Sequence, residues 1–279
     1  MATFSHKKIR YHFAEWGSSS NPPLVLLHGF SQSSATWKEI APDLAKDRFV
    51  IAPDFIGYGE SDQPSKPVCY EMATVLEMIG ALFEYLDIDR ADLLGYSMGG
   101  RIALAFAHAQ PHRLASLMLE SAGLGPKDEQ QRQVALERDL RAIALLMEGD
   151  IKKFMDFWQE QTVFASQKHL PERLRANLRQ ARLANDPHTL ALSLQGTGQH
   201  TMPDLSREAG KLPMKILYIA GNLDSRYLRL AEELSRQENI SCVFLPTGHN
   251  THLEAPEAFI HHVKDFLRES SSFRRPCGD

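Results

Sequence analysis

The five residues Gly95-Tyr96-Ser97-Met98-Gly99 constrain this chain more than any other stretch of it. An apolar run, Ala91-Asp92-Leu93-Leu94, leads into them, and Gly100-Arg101-Ile102-Ala103-Leu104-Ala105-Phe106-Ala107-His108 leads out with the spacing of a helix. A strand that turns at once into a helix leaves no room for a Cβ two residues either side of the serine, hence the two glycines. The serine must accept a strained backbone, and the turn lifts its hydroxyl above the sheet edge with a helix N-terminus beneath it. Glycine and serine are common, so the five residues alone say little. The strand–turn–helix frame is what makes Ser97 a candidate for chemistry rather than part of an ordinary glycine-rich turn.

Other short apolar runs, at 24–27, 49–52, 114–120, 214–220 and 242–245, join 91–95 as expected strands of a largely parallel sheet. The alternating segment 8–16 is expected as an antiparallel edge. Helical patterns fall at 70–86, 98–109, 228–238 and 255–269. Between about 125 and 206 strand signals vanish, and the arginine-rich helical patterns 131–149, 151–161 and 171–183 take over. The expected organisation is an α/β core from 1–124 and 207–269, a helical cap inserted at 125–206, and a polar, flexible tail at 270–279.

With 279 residues, 43% hydrophobic and 24% charged, the chain can bury a large core of ordinary composition. A net charge of −4 argues against a nucleic-acid partner. The first residues, MATFSHKKIRYHF, contain no apolar signal segment, and no apolar run is long enough for membrane insertion. Cys69, Cys242 and Cys277 show no C-x-x-C spacing, so neither a zinc site nor a disulfide framework is expected. These features point to a cytoplasmic protein, a monomer or small homo-oligomer, with no metal or cofactor.

A serine hydroxyl needs a base, and the base needs an orienting group. Gly221-Asn222-Leu223-Asp224 follows the expected strand 214–220, and Pro246-Thr247-Gly248-His249 follows 242–245. Ser97, Asp224 and His249 therefore emerge at one sheet edge, in the chain order Ser, Asp, His of an α/β-hydrolase fold. His252 is the local rival for the base, and Glu120 and Glu254 are the fallback acids. The Met98 amide, after the serine, and the Phe30 amide, in the His28-Gly29-Phe30 loop, are the candidate oxyanion-hole donors. His28 reads as a structural polar residue beneath the site.

Over most of its length the chain resembles the menaquinone/phylloquinone-pathway MenH family of 2-succinyl-6-hydroxy-2,4-cyclohexadiene-1-carboxylate (SHCHC) synthases. The resemblance lies in Leu94 to Arg101, Leu119-Glu120-Ser121-Ala122, Phe164-Ala165-Ser166-Gln167, Arg182-Leu183-Ala184-Asn185 and Gly248 to Glu254. It implies a lyase that eliminates pyruvate from a tricarboxylate precursor, SEPHCHC, with the Ser-His-Asp group acting as general base. It further implies that Arg101, Arg182 and an arginine of the first cap helix bind substrate carboxylates. Arg138 is preferred there, with Arg132 as the alternative. Tyr96 and Trp158 resemble family pocket residues. Where many bacterial members carry an arginine and a Gly-Met-Gly-Thr-Gly run, this chain has Leu194-Gln195-Gly196-Thr197-Gly198-Gln199-His200. The competing readings are a carboxylesterase or C–C bond hydrolase using Ser97 as nucleophile, and a non-catalytic binding protein.

Overall fold

The expected strands assemble into one eight-stranded sheet in the order β1-β2-β4-β3-β5-β6-β7-β8 in a computed structural model that describes residues 2–272. The strands are β1 (Ala2–His6), β2 (Ile9–Trp16), β3 (Pro23–Leu27), β4 (Phe49–Pro53), β5 (Ala91–Tyr96), β6 (Leu114–Glu120), β7 (Ile216–Gly221) and β8 (Ile240–Leu245). Pairings from β4 through β8 are parallel, whereas β1–β2 and β2–β4 are antiparallel. Central strands β3, β5 and β7 are buried almost throughout, as the near-continuous apolar runs of a sheet covered on both faces require.

Helices α1 (Ala41–Leu44), α2 (Met72–Tyr85) and α3 (Met98–Ala109) precede β6. Between β6 and β7 come only helices: α4 (Glu129–Met147), α5 (Ile151–Gln159), α6 (Glu172–Leu183), α7 (Pro187–Thr197) and α8 (Ser206–Ala209), with a 3₁₀ stretch at Thr162–His169. Then follow α9 (Ser225–Leu234), α10 (Thr251–Glu254) and α11 (Pro256–Ser272). Asp128, Asp150 and Asp186 cap α4, α5 and α7 by accepting a backbone N–H three residues on.

Two expectations need correction. The segment at 8–16 forms β2, but the edge strand is β1, which hides there behind a turn whose Lys7 and Lys8 both take positive φ. The last helix runs to Ser272, so residues 270–272 extend α11 rather than begin a tail; 273–279, and Cys277 with them, lie outside the described residues.

Candidate active site

Ser97 sits between β5 and α3 with φ 52° and ψ −107°, a conformation strained for any residue with a Cβ. The glycines permit it. A Cβ on Gly95 would lie 2.4 Å from the Gly99 carbonyl oxygen, and one on Gly99 would lie 2.2 Å from that of Leu27. The Ser97 amide donates to the Glu120 carbonyl on β6, which pins the turn to the sheet.

The neighbouring strand ends supply its partners. Asp224 follows β7 at the start of α9, and His249 follows β8 by four residues. His249 Nδ1 is 2.8 Å from Asp224 Oδ2, and His249 Nε2 is 2.9 Å from Ser97 Oγ. A carboxylate only accepts, so Nδ1 carries the proton and Nε2 is left to accept the serine O–H. Asp224 and His249 are 6% and 3% exposed, so the bond between them is shielded from bulk water. Tyr227, Tyr96 and Phe164 close around the imidazole with ring centroids 4.9, 5.4 and 6.1 Å away. The arrangement can relay a proton between the Ser97 hydroxyl and the imidazole.

The rival groups are engaged elsewhere. His252 Nδ1 is 2.7 Å from Glu120 Oε2 and its Nε2 is 3.0 Å from Thr36 Oγ1. Glu254 accepts from the Gly248 amide and Ser166 hydroxyl. His28 accepts from the Phe55 amide at Nε2, so its Nδ1–H donates to the Gly29 carbonyl inside the Phe30 loop. Among the described residues, neither the Phe30 nor the Met98 amide takes part in the main-chain hydrogen bonds of turns and caps.

A cavity of about 340 Å³ lies over Ser97, and Asp224, His249, Phe30, Met98, Tyr96, Arg101, Arg138, Trp158 and Arg182 all line it. Arg101, one turn along α3, donates to the Thr197 carbonyl on α7. Arg182 is 4% exposed, donates to Gln167 and lies over the Phe164 ring. Among the described residues neither has a carboxylate within 4.0 Å, and the Arg182 Nε has no hydrogen-bond partner at all. Burial pushes both guanidiniums below their ordinary value, the sign of cations held out of water. Trp158 stacks on Phe154 and meets Phe30 at 5.0 Å.

Arg138 differs. It donates to Asp139 Oδ1 through Nε and Nη2, and to Gln199 through Nη1. Arg132, the alternative, donates to the His200 and Met202 carbonyls and does not line the cavity. Asp139, which sequence reasoning missed, is 3% exposed and also pairs with His200 Nδ1 at 2.8 Å. Burial raises its carboxyl, but the Arg138 charge and the hydrogen bonds from His200 and Arg138 bring it below its usual value. A signal existed: Asp139 interrupts the buried stripe Ala135, Ala142, Ile143, Leu146 of α4.

Residues 22–256 match the α/β hydrolase fold family. A Bacillus subtilis protein provisionally named 2-succinyl-6-hydroxy-2,4-cyclohexadiene-1-carboxylate synthase is 30% identical over 93% of this chain and 95% of its own. The synthase of that name from Citrobacter koseri is 30% identical over 91% and 97%. Among solved structures, MenH from S. aureus superposes with a TM-score of 0.88 at 29% identity, covering 94% of this chain and 98% of that one. A thermophilic esterase from Thermogutta terrifontis, at 24% identity and a TM-score of 0.82, shares the fold.

Proposed function

The chain belongs to the α/β-hydrolase superfamily and, within it, to the SHCHC synthase (MenH) family, and we propose that it eliminates pyruvate from SEPHCHC to give SHCHC. The observation that carries this reading is the pair Arg101, partly buried, and Arg182, buried, which among the described residues have no carboxylate partner in the cavity that holds Ser97. An uncompensated buried charge costs several kcal/mol. Two of them in one cavity are explained by a ligand that brings the anions, and guanidinium forks match carboxylates.

The Ser97–His249–Asp224 group then works as a base. Ser97 Oγ takes the proton from the ring carbon beside the succinyl ketone as its own proton passes to His249 Nε2. Asp224 holds the resulting imidazolium. The electron pair left on carbon spreads onto the ketone oxygen, toward the Met98 and Phe30 amides, each typically contributing about 2.7–4 kcal/mol to such a transition state. It then moves through the ring double bond and breaks the C–O bond to the enolpyruvyl group. The departing enolate takes up a proton and becomes pyruvate. No water is consumed, which separates this reaction from ester hydrolysis on the same scaffold.

The test is incubation of the full chain with SEPHCHC while pyruvate is followed with lactate dehydrogenase. Stoichiometric pyruvate and diene absorbance are expected. Absence of both, with rapid turnover of p-nitrophenyl esters, would replace this reading by the esterase.

A further inference from the structure

Two cavities meet beside the candidate active site. Next to the one over Ser97 lies another of about 500 Å³, between the segment leading into α4, α4 itself and α9. Arg138, Gln199, Arg226 and Tyr227 line both. The partition between them is a pair of hydrogen bonds: Gln199 Oε1 accepts from Arg138 Nη1 at 3.0 Å and from Arg226 Nη2 at 3.1 Å. Two guanidiniums, one from α4 and one from the first turn of α9, which Asp224 precedes, converge on a single oxygen. Gln199 is 7% exposed and neutral, so it supplies the acceptor geometry but no charge. A carboxylate oxygen at that point would supply both.

The outer cavity is basic as well. It adds Lys127 and Arg229 against Glu233, which already pairs with Lys127. Among the described residues neither Arg226 nor Arg229 has a carboxylate within 4.0 Å. Arg138, by contrast, is compensated by Asp139 on the inner side.

We propose that the Arg138–Gln199–Arg226 junction is a second carboxylate site, and that the outer cavity is the way out for the three-carbon 2-oxo acid. No covalent bond changes. A carboxylate replaces Gln199 Oε1 between the two guanidiniums, the amide swings to water, and Arg229 draws the anion outward. The identity of the anion as a product rests on the pyruvate-releasing reading above; the carboxylate site does not.

Calorimetric titration of pyruvate into the full chain tests the site without turnover. Arg226→Gln should weaken pyruvate binding by about tenfold and Arg229→Gln by roughly threefold, whereas Arg182→Gln, which does not line the outer cavity, should change it less than about twofold. Arg226 and Arg229 are exposed side chains, so thermal midpoints should stay at the wild-type value. Equal weakening by Arg182→Gln, no effect of Arg226→Gln and Arg229→Gln, or no pyruvate binding by the wild type overturns the site. Pyruvate release from SEPHCHC is assayed separately. Absence of release with Arg226-dependent binding intact overturns the exit role, and locates the failure in the reaction rather than in the site.

Discussion

The Arg182 guanidinium lies 4.9 Å from the centroid of the Phe164 ring, and that ring in turn stands edge-on to the His249 imidazole. The cation is thus held by an aromatic face and one glutamine oxygen, and among the described residues no carboxylate lies within 4.0 Å to neutralise it. On the proposed function, such a residue would serve binding at the expense of folding. Arg182→Met should therefore raise the unfolding free energy read from denaturant melts by about 1 kcal/mol, since a hydrophobic side chain avoids burying an unpaired charge. The same variant should raise KM for SEPHCHC roughly tenfold or more, the loss of a charged hydrogen bond. A destabilised variant with unchanged KM would mean that Arg182 is structural.

Ser97→Ala should lower kcat by about 10²–10⁴ and leave KM close to wild type, because proton transfer contributes in the transition state. Asp224→Asn should act in the same direction, by destabilising the imidazolium and the required tautomer. If Ser97 is a base, intact-mass spectrometry of enzyme quenched during SEPHCHC turnover should find no covalent adduct. An acylated Ser97 would favour the nucleophilic mechanism.

The elbow was legible because its glycines are imposed by contact distances, which any sequence making that turn must respect. The acid and histidine were legible by their place after β7 and β8. Other features gave no such signal. β1 is short and the turn after it holds no glycine, proline or asparagine; Lys7 and Lys8 adopt the left-handed conformation against their own preference. In α7, residues 189–194 are all buried, so no amphipathic stripe marks it as helical, and Leu190, Leu192 and Leu194 even alternate as a strand would. Arg226 reads in sequence as one more polar residue of α9, and only the fold brings the 3₁₀ turn Gln199–Thr201 within its reach.

Glu120 and His252 form a second buried acid–imidazole pair, and its role is structural. Glu120 is fully buried and accepts from the Thr251 hydroxyl, the His252 amide and His252 Nδ1. The pair ties β6 to the turn that carries His249. Glu120→Gln should cost about 3 kcal/mol in urea unfolding, since one partner of a buried pair is lost. Its kcat, measured on the folded fraction, should fall far less than that of Asp224→Asn. The reverse ranking would make His252 the base.

Burial pushes the Cys242 thiol up to about 11, while its Sγ–H donates to the Ala231 carbonyl. At pH 8 its thiolate fraction is therefore roughly a hundredfold below that of an unperturbed cysteine. Iodoacetamide at that pH should leave Cys242 unmodified in the native protein and label it after denaturation, as peptide mapping will read. Native labelling of Cys242 at the rate of a free thiol would contradict its burial.

His28 links pH to the loop that carries Phe30. Burial lowers its pKa below the ordinary 6.5, outweighing the Asp54 charge and the bond to Gly29. Its Nε2 must stay unprotonated to accept the Phe55 amide. Above pH 6.5 both the folded and unfolded forms are neutral here, and the stability is fully present. As the pH falls below that value the unfolded chain takes up a proton that the folded chain refuses, so stability is lost until the folded pKa is reached. The slope from one such group approaches about 1.4 kcal/mol per pH unit. Urea midpoints from pH 8 to pH 5 should therefore fall less steeply below pH 6.5 for His28→Gln than for the wild type, although the variant starts lower because its amide fits the two bonds less well. Parallel slopes for the two proteins would show that His28 does not carry this linkage.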